Sequence, residues 1–453
     1  MRSTADVVIC GAGIAGAAAA YHLAVRHRIP RVVIIDERDP LTLTSDKGTQ
    51  AYRNWWPGPD DTMLRLVSRS IDLLEDSAAE CGNTFRMSRR GYVFATADQS
   101  QAARLLETAK SVSEHGMGSV RVHPGPDPYR PAQAEGYADQ PVGADLLTGD
   151  EVHRIYPYLA PDTIAALHIR RAGWVNAVAL GSWFLKQAIA AGATFTRGRV
   201  TQINATGGQI RDVQLGSGDT ISTDRFVIAA GPGLPDVAAL LELELPVFHE
   251  LHAKMTLRDP LGVVRRDAPF LIWTDPTRID WSEGDRQELE ANPRAARLVG
   301  TLPGGVHVRP VDLVHGDELY LIWTFETERK AFAWPPSFDP HYGEVVLRGC
   351  VRMVPGLAAY VGQQQAGFVD GGYYCKTPEN RPLIGPLPVR GAFVLGALSG
   401  MGVMSAHASA ELLAAHVTGD RLPTYAKWFL PSRYDDPEYQ ALVDKWGPLV
   451  GQL

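Results

Sequence analysis

Three glycines and a carboxylate near the amino terminus carry the clearest chemistry in this 453-residue sequence. Gly11, Gly13 and Gly16 form a GxGxxG run with Ala12, Ile14 and Ala15 between them. In such a run the first glycine makes a tight turn and the second lets backbone approach a pyrophosphate. The third lets a helix pack closely on a strand. The free N–H groups and positive dipole end at the helix start complement phosphate charge. Asp36, followed by Glu37, comes where a carboxylate accepts hydrogen bonds from ribose hydroxyls, and its place at the strand end favours it over Glu37. Together these residues predict a dinucleotide cradle.

The flanking elements must present that cradle in order. Residues 5–10 (ADVVIC) read as a short strand buried on both faces of a parallel sheet, and residues 31–35 (RVVII) as a second one. The Ala-rich residues 17–25 read as the helix between them. Strand, glycine turn, helix, second strand and terminal acid therefore occur in the sequence that a βαβ unit requires.

Composition bounds the rest. A chain of this length is expected to form two or three structural units. A net charge of -7 gives no electrostatic reason to expect nucleic acid or an anionic membrane as partner. Cys10, Cys81, Cys350 and Cys375 show no CxxC spacing, so neither a metal site nor a disulfide framework is signalled, and a cytoplasmic location is expected. The apolar residues 7–25 are Gly-rich, interrupted by His22 and ended by Arg26, which suits a buried strand and helix rather than a signal peptide or span. No catalytic triad or paired carboxylate stands out.

Four later segments add to the picture. Thr44-Ser45-Asp46-Lys47-Gly48-Thr49 is followed by Arg53; Gly173-Trp174-Val175-Asn176 precedes a helical stretch and Val200; residues 226–233 read FVIAAGPG; and Thr377-Pro378-Glu379-Asn380-Arg381-Pro382-Leu383-Ile384-Gly385 precedes ALSGMG at 397–402. In this order they resemble the D-amino-acid-oxidase superfamily of flavoproteins, particularly its sarcosine-oxidase and glycine-oxidase branches. The resemblance implies an α/β protein, α+β overall, in which an interrupted Rossmann-type FAD-binding domain is combined with a substrate domain on a mixed or antiparallel sheet. The FAD segments would be 1–86, 151–235 and 349–430, the substrate segments 87–150 and 236–348, and 431–453 a C-terminal tail. Strands are expected near 91–96, 251–257, 305–309 and 318–324. Residues 116–143 read as a long Pro/Gly-rich loop and 281–298 as a charged helical insertion.

The same resemblance implies which residues meet the cofactor. Thr44, Ser45, Lys47, Thr49 and Arg53 would run along the pyrophosphate and flavin, with Val200 beside the adenine. Ala230 and Gly231 would form the turn after a third strand. Pro378 and the run Gly400, Met401, Gly402 and Val403 would close over the isoalloxazine. The family oxidises C–N bonds by moving a hydride to the flavin, and the protein supplies orientation and electrostatics.

Departures from the family pattern carry information about the substrate end. The position of the flavin-linking cysteine in covalent branches is Gly372 here, and the loop 44–54 has no histidine, so non-covalent FAD is expected. A family arginine that anchors the substrate carboxylate is matched by Tyr374, and a family lysine by Met404. Neither replaces that charge, so an amine bulkier or less charged than glycine or sarcosine is expected. Tyr374 and His252 are candidate catalytic residues. Lys254 is a third, either a cation that promotes reaction with oxygen or a strand lysine reaching solvent. Trp55 stands between a substrate platform and a core residue, and His307 and Arg309 are candidate pocket residues. Arg53 could instead touch substrate or pair with a carboxylate. The expected activity is oxidation of an amine or amino-acid-derived C–N bond, with oxygen or an electron carrier as acceptor. A 2-hydroxy-acid dehydrogenase of the same superfamily and a low-turnover flavin-binding assembly factor are the alternatives.

Overall fold

The computed structural model describes residues 2–125, 128–311, 316–363 and 367–446. Its first layer is a six-stranded sheet in the order Thr194–Arg197, Val32–Asp36, Val7–Cys10, Phe226–Ile228, Ala392–Gly396 and Leu383–Pro386. The first five strands are parallel and the last is antiparallel. Val7–Cys10 is buried at every residue, as its unbroken apolar run requires in a sheet covered on both faces. The helix Ile14–Tyr21 is also buried at all 8 residues and continues as a π-helical turn over His22–Arg26. Its alanines let it lie between Gly402–Thr418 and Ala177–Ala190.

The second layer is a nine-stranded mixed sheet, running from Gly367–Lys376 through Phe248–Arg258, Glu318–Ile322, Val306–Pro310, Phe270–Trp273, Tyr92–Thr96, Ala165–Ile169 and Ala144–Thr148 to Val120–His123. The amphipathic helix Tyr342–Met353 buries its apolar face against this sheet. Among the described residues no helix is long and apolar enough to cross a membrane, and no cluster of three or more His, Cys, Asp or Glu could hold a metal.

Several details depart from the sequence reading. Val120–His123 is a strand inside the expected loop 116–143, pairing parallel with Ala144–Thr148 at the sheet edge. Its Pro/Gly-rich flanks conceal it, and an edge strand tolerates such flanks. Ala165–Ile169 and Gly367–Lys376 fall in segments expected to serve the FAD domain, yet both pair within the nine-stranded sheet. A strand's local pattern does not say which sheet it joins, so only pairing assigns it. Thr44–Lys47 is a short helix rather than a loop. The segment named as a tail contains the helix Pro437–Asp444 and the fully buried Arg433, whose guanidinium pairs with Glu379 at 2.6 Å.

Candidate active site

A cavity of about 550 Å³ runs between the two sheets, from Asp36 and Arg199 at one end to Tyr373 and Tyr374 at the other. The glycine turn forms its floor. Gly11 has φ +112°, and a Cβ there would stand 2.3 Å from the Ala229 carbonyl oxygen. A Cβ on Gly16 would stand 1.8 Å from the Gly11 carbonyl oxygen, so the helix can approach the turn only with glycine here. Gly13, Ile14 and Ala15 line the cavity, and Ser45 Oγ accepts a hydrogen bond from the Ile14 N–H at 2.9 Å. Asp36 accepts from the Ala12 and Arg38 N–H groups at 2.8 and 2.9 Å, which ties strand end to turn, and Glu37 lies beside it on the wall. Thr44, Val200, Ala230 and Gly231 complete this half. A glycine floor that a side chain would fill, a helix start and an acid at the next strand end fit a dinucleotide.

Side chains of the nine-stranded sheet build the other half. Tyr374 lines the cavity, and its ring stacks on His252 with centroids 4.0 Å apart and planes 16° from parallel. His252 Nε2 lies 3.0 Å from Glu250 Oε2, and its Nδ1 lies 3.3 Å from Thr324 Oγ1. Glu250 also accepts from Lys376 Nζ at 2.9 Å. Burial holds the His252 imidazole below its ordinary pKa. Burial opposes ionisation of Glu250, but hydrogen bonds from His252 and Lys376 outweigh it and keep the carboxyl below its usual range. Burial also lifts the Tyr374 hydroxyl to about 12. Lys254 is buried, and its Nζ donates to the Asp46 carbonyl at 3.1 Å while facing the Tyr320 ring at 4.5 Å. Its desolvation draws the ammonium down to about 8. The lysine thus points at the loop after the second strand, not at solvent.

Gly400, Gly402 and Val403 line the cavity as well, whereas Met401 is buried outside its walls. Other expected contacts are directed elsewhere. Lys47 Nζ pairs with Asp370 at 2.9 Å because the sheet strand presents a carboxylate beside it. Thr49 gives its carbonyl to Arg309, whose Nε and Nη2 donate to it at 3.0 and 2.6 Å. Arg309 also lies over the Trp174 and Tyr320 rings, so it braces the loop from behind rather than lining the cavity. His307 Nδ1 donates to the Gly305 carbonyl at 2.8 Å, and burial lowers its pKa to about 4. Trp55 is 1% exposed and packs on Phe94. Arg53 Nε donates to the Trp55 carbonyl with its guanidinium over Tyr92, and its N–H contacts Met404 Sδ at 3.2 Å. Inward-facing strand positions bury these groups as a shell behind the wall. Pro378 is exposed.

The cavity also contains residues that sequence reading did not select, among them Arg38, Gln50, Phe332 and Ser399. Arg38 stands two places after Asp36 and could have been suspected from that spacing. Phe332 arrives from a distant connection, which no local pattern announces.

A dinucleotide turn joined through one cavity to a second, mixed sheet defines a two-layer flavoprotein oxidoreductase. A family model described as DAO, FAD dependent oxidoreductase, matches residues 6–416, and the chain belongs to that family. It is an FAD-dependent oxidoreductase. The chain is 26% identical over 435 residues to the tRNA 5-methylaminomethyl-2-thiouridine biosynthesis bifunctional protein MnmC of Polaromonas sp.. That alignment takes in 93% of this chain and spans 58% of the relative's length. Among solved structures it resembles L-proline dehydrogenase from P. horikoshii, with a TM-score of 0.73, 18% identity, and 96% and 99% of the two chains covered. It also resembles iminodiacetate oxidase from Chelativorans sp. BNC1, with a TM-score of 0.69, 21% identity, and 94% and 98% covered. These structural likenesses concern the fold.

Proposed function

We propose that this flavoprotein oxidises a C–N bond of an amine or amino-acid-derived substrate bulkier than glycine or sarcosine. The observation that carries this reading is the Tyr374–His252 stack on the cavity wall, where a charged carboxylate anchor would otherwise be expected. An aromatic face bounded by Tyr373 and Phe332 suits a larger, less charged group. FAD, when bound, supplies the electron-accepting chemistry. The chain's own groups orient and insulate: Glu250 and Lys376 fix the His252 ring, His252 fixes Tyr374, and the Lys254 ammonium stands against the Asp46–Gly48 backbone. We assign Lys254 the role of stabilising negative charge that develops when oxygen is reduced.

Glycine at 372, where covalent branches carry the linking cysteine, and the absence of a histidine in loop 44–54 support non-covalent FAD. The name of the MnmC relative concerns an aminomethyl-bearing nucleoside of tRNA, itself a bulky C–N compound. The net charge of -7 favours a free small molecule over RNA for this chain. Anaerobic mixing with a panel of bulky amines, glycine, sarcosine and 2-hydroxy acids tests the reading. Bulky amines are expected to bleach the flavin band. Bleaching by hydroxy acids alone, or saturable turnover of glycine comparable with any bulky amine, overturns it.

A further inference from the structure

Between the strand Glu318–Ile322 and the helix Tyr342–Met353 the chain makes an excursion with no helix, touching the nine-stranded sheet through one bridge, Glu250 to Arg329. Its central residues read AFAWPPSF at 331–338, without a charge, between TERK and Asp339. Exposure alternates along it. Phe332, Trp334, Pro336 and Phe338 are half-buried, while Ala331, Ala333, Pro335 and Ser337 are exposed. The chain bends at 334–335, and the half-buried residues on either side of the bend turn an apolar edge toward the protein.

That edge meets both layers of the fold. The Lys330 N–H donates to the His249 carbonyl at 2.8 Å, fastening the segment to the strand Phe248–Arg258. Phe332 lines the cavity and packs edge-on against Tyr373, with centroids 5.3 Å apart. Two residues on, the Trp334 ring lies 5.6 Å from the Arg38 guanidinium. Arg38 belongs to the opposite layer. It lines the cavity beside Asp36, to which its own N–H donates. Phe338 returns to the nine-stranded sheet, where a Cβ on Gly371 would stand 2.8 Å from its ring. The segment therefore spans from the substrate sheet to the end of the strand Val32–Asp36.

We propose that residues 329–338 are a strap that retains the bound dinucleotide, with Phe332 and Trp334 as its clamps and Arg38 as the receiving residue. Nothing covalent holds the strap to the nucleotide layer. Among the described residues it is attached there by the Arg38–Trp334 contact, an interaction of an order that shifts a rate about tenfold when desolvated. Release of the dinucleotide requires that contact to open and Phe332 to leave the wall. The uncharged composition of 331–338 follows from the same role, because a charge on the inner edge would be buried each time the strap closed.

Dissociation of FAD from the holoprotein, followed by flavin fluorescence in the presence of an excess of FAD-scavenging apoprotein, tests the strap. Trp334→Ala, Phe332→Ala and Arg38→Gln are each expected to speed release about tenfold. Arg38→Gln combined with Trp334→Ala is expected to do no more than either alone, since both remove one contact. Ser337→Ala, on the outer edge, is expected to release at the wild-type rate. A second measurement needs no variant: limited proteolysis within 331–337 is expected to be fast in FAD-free protein and suppressed when FAD saturates it. Wild-type release rates in both Phe332→Ala and Trp334→Ala overturn the proposal. So does cleavage that is indifferent to FAD.

Discussion

The two ends of the cavity are built by different means. At the Asp36 end the surface is mostly backbone: a glycine turn, a helix start, and one carboxylate that holds two N–H groups in place. At the Tyr374 end the surface is side chains, held by other side chains through Tyr374, His252, Glu250 and Lys376. Backbone construction leaves little room for substitution, because a Cβ at Gly11 or Gly16 meets a carbonyl. Side-chain construction can be retuned one residue at a time. A family that keeps its cofactor and varies its substrate is expected to divide its site in this way.

Substitutions that affect one end and spare the other sharpen this contrast. The largest effect is expected from Gly16→Val, whose branched side chain would enter the Gly11 carbonyl. A loss of about 3 kcal/mol or more follows, and the protein is expected to purify without the visible flavin band. Next is Lys254→Met, which keeps the volume and removes the charge. Oxygen is expected to restore flavin absorbance about 100-fold more slowly, with FAD affinity unchanged. The wild-type rate should fall as pH rises through about 8, where the ammonium loses its proton, and the variant should lack that limb. An identical pH profile in both proteins removes Lys254 from the oxygen step.

Asp36→Ala withdraws the acceptor for two N–H groups at the wall of the cavity. About 2 kcal/mol, or roughly 30-fold weaker FAD binding, is expected in titrations of the apoprotein, with the substrate KM unmoved. The smallest effect belongs to Tyr374→Leu. Losing the ring on His252 should raise KM for a bulky amine by up to about tenfold and leave FAD affinity alone. If FAD affinity falls instead while KM holds, the two ends are not independent and the contrast breaks.

Sequence legibility follows the same division. The turn at Gly11–Gly16, the strand ends beside it, Ser45, Val200 and Gly231 could be read in advance, since each depends on near neighbours or on an ordered series of motifs. Arg309 shows where that reading stops. A buried arginine in a strand looks like a pocket residue, yet its donors go to the Thr49 carbonyl, far away in sequence. Lys47 was drawn to Asp370 for the same reason. The strand Gly367–Lys376 could belong to either sheet by composition, and only its long pairing with Phe248–Arg258 places it.

By itself the sequence determined the close-packed turn at Gly11–Gly16, because glycine is required wherever backbone must approach backbone, and that need is written at the position concerned. Only the tertiary structure decided which face Lys254 presents, what holds His252 against Tyr374, and that Phe332 reaches the cavity from the long connection after Glu318–Ile322. Those placements depend on partners brought together by sheet register and by a long connection, and neither leaves a periodic trace along the chain.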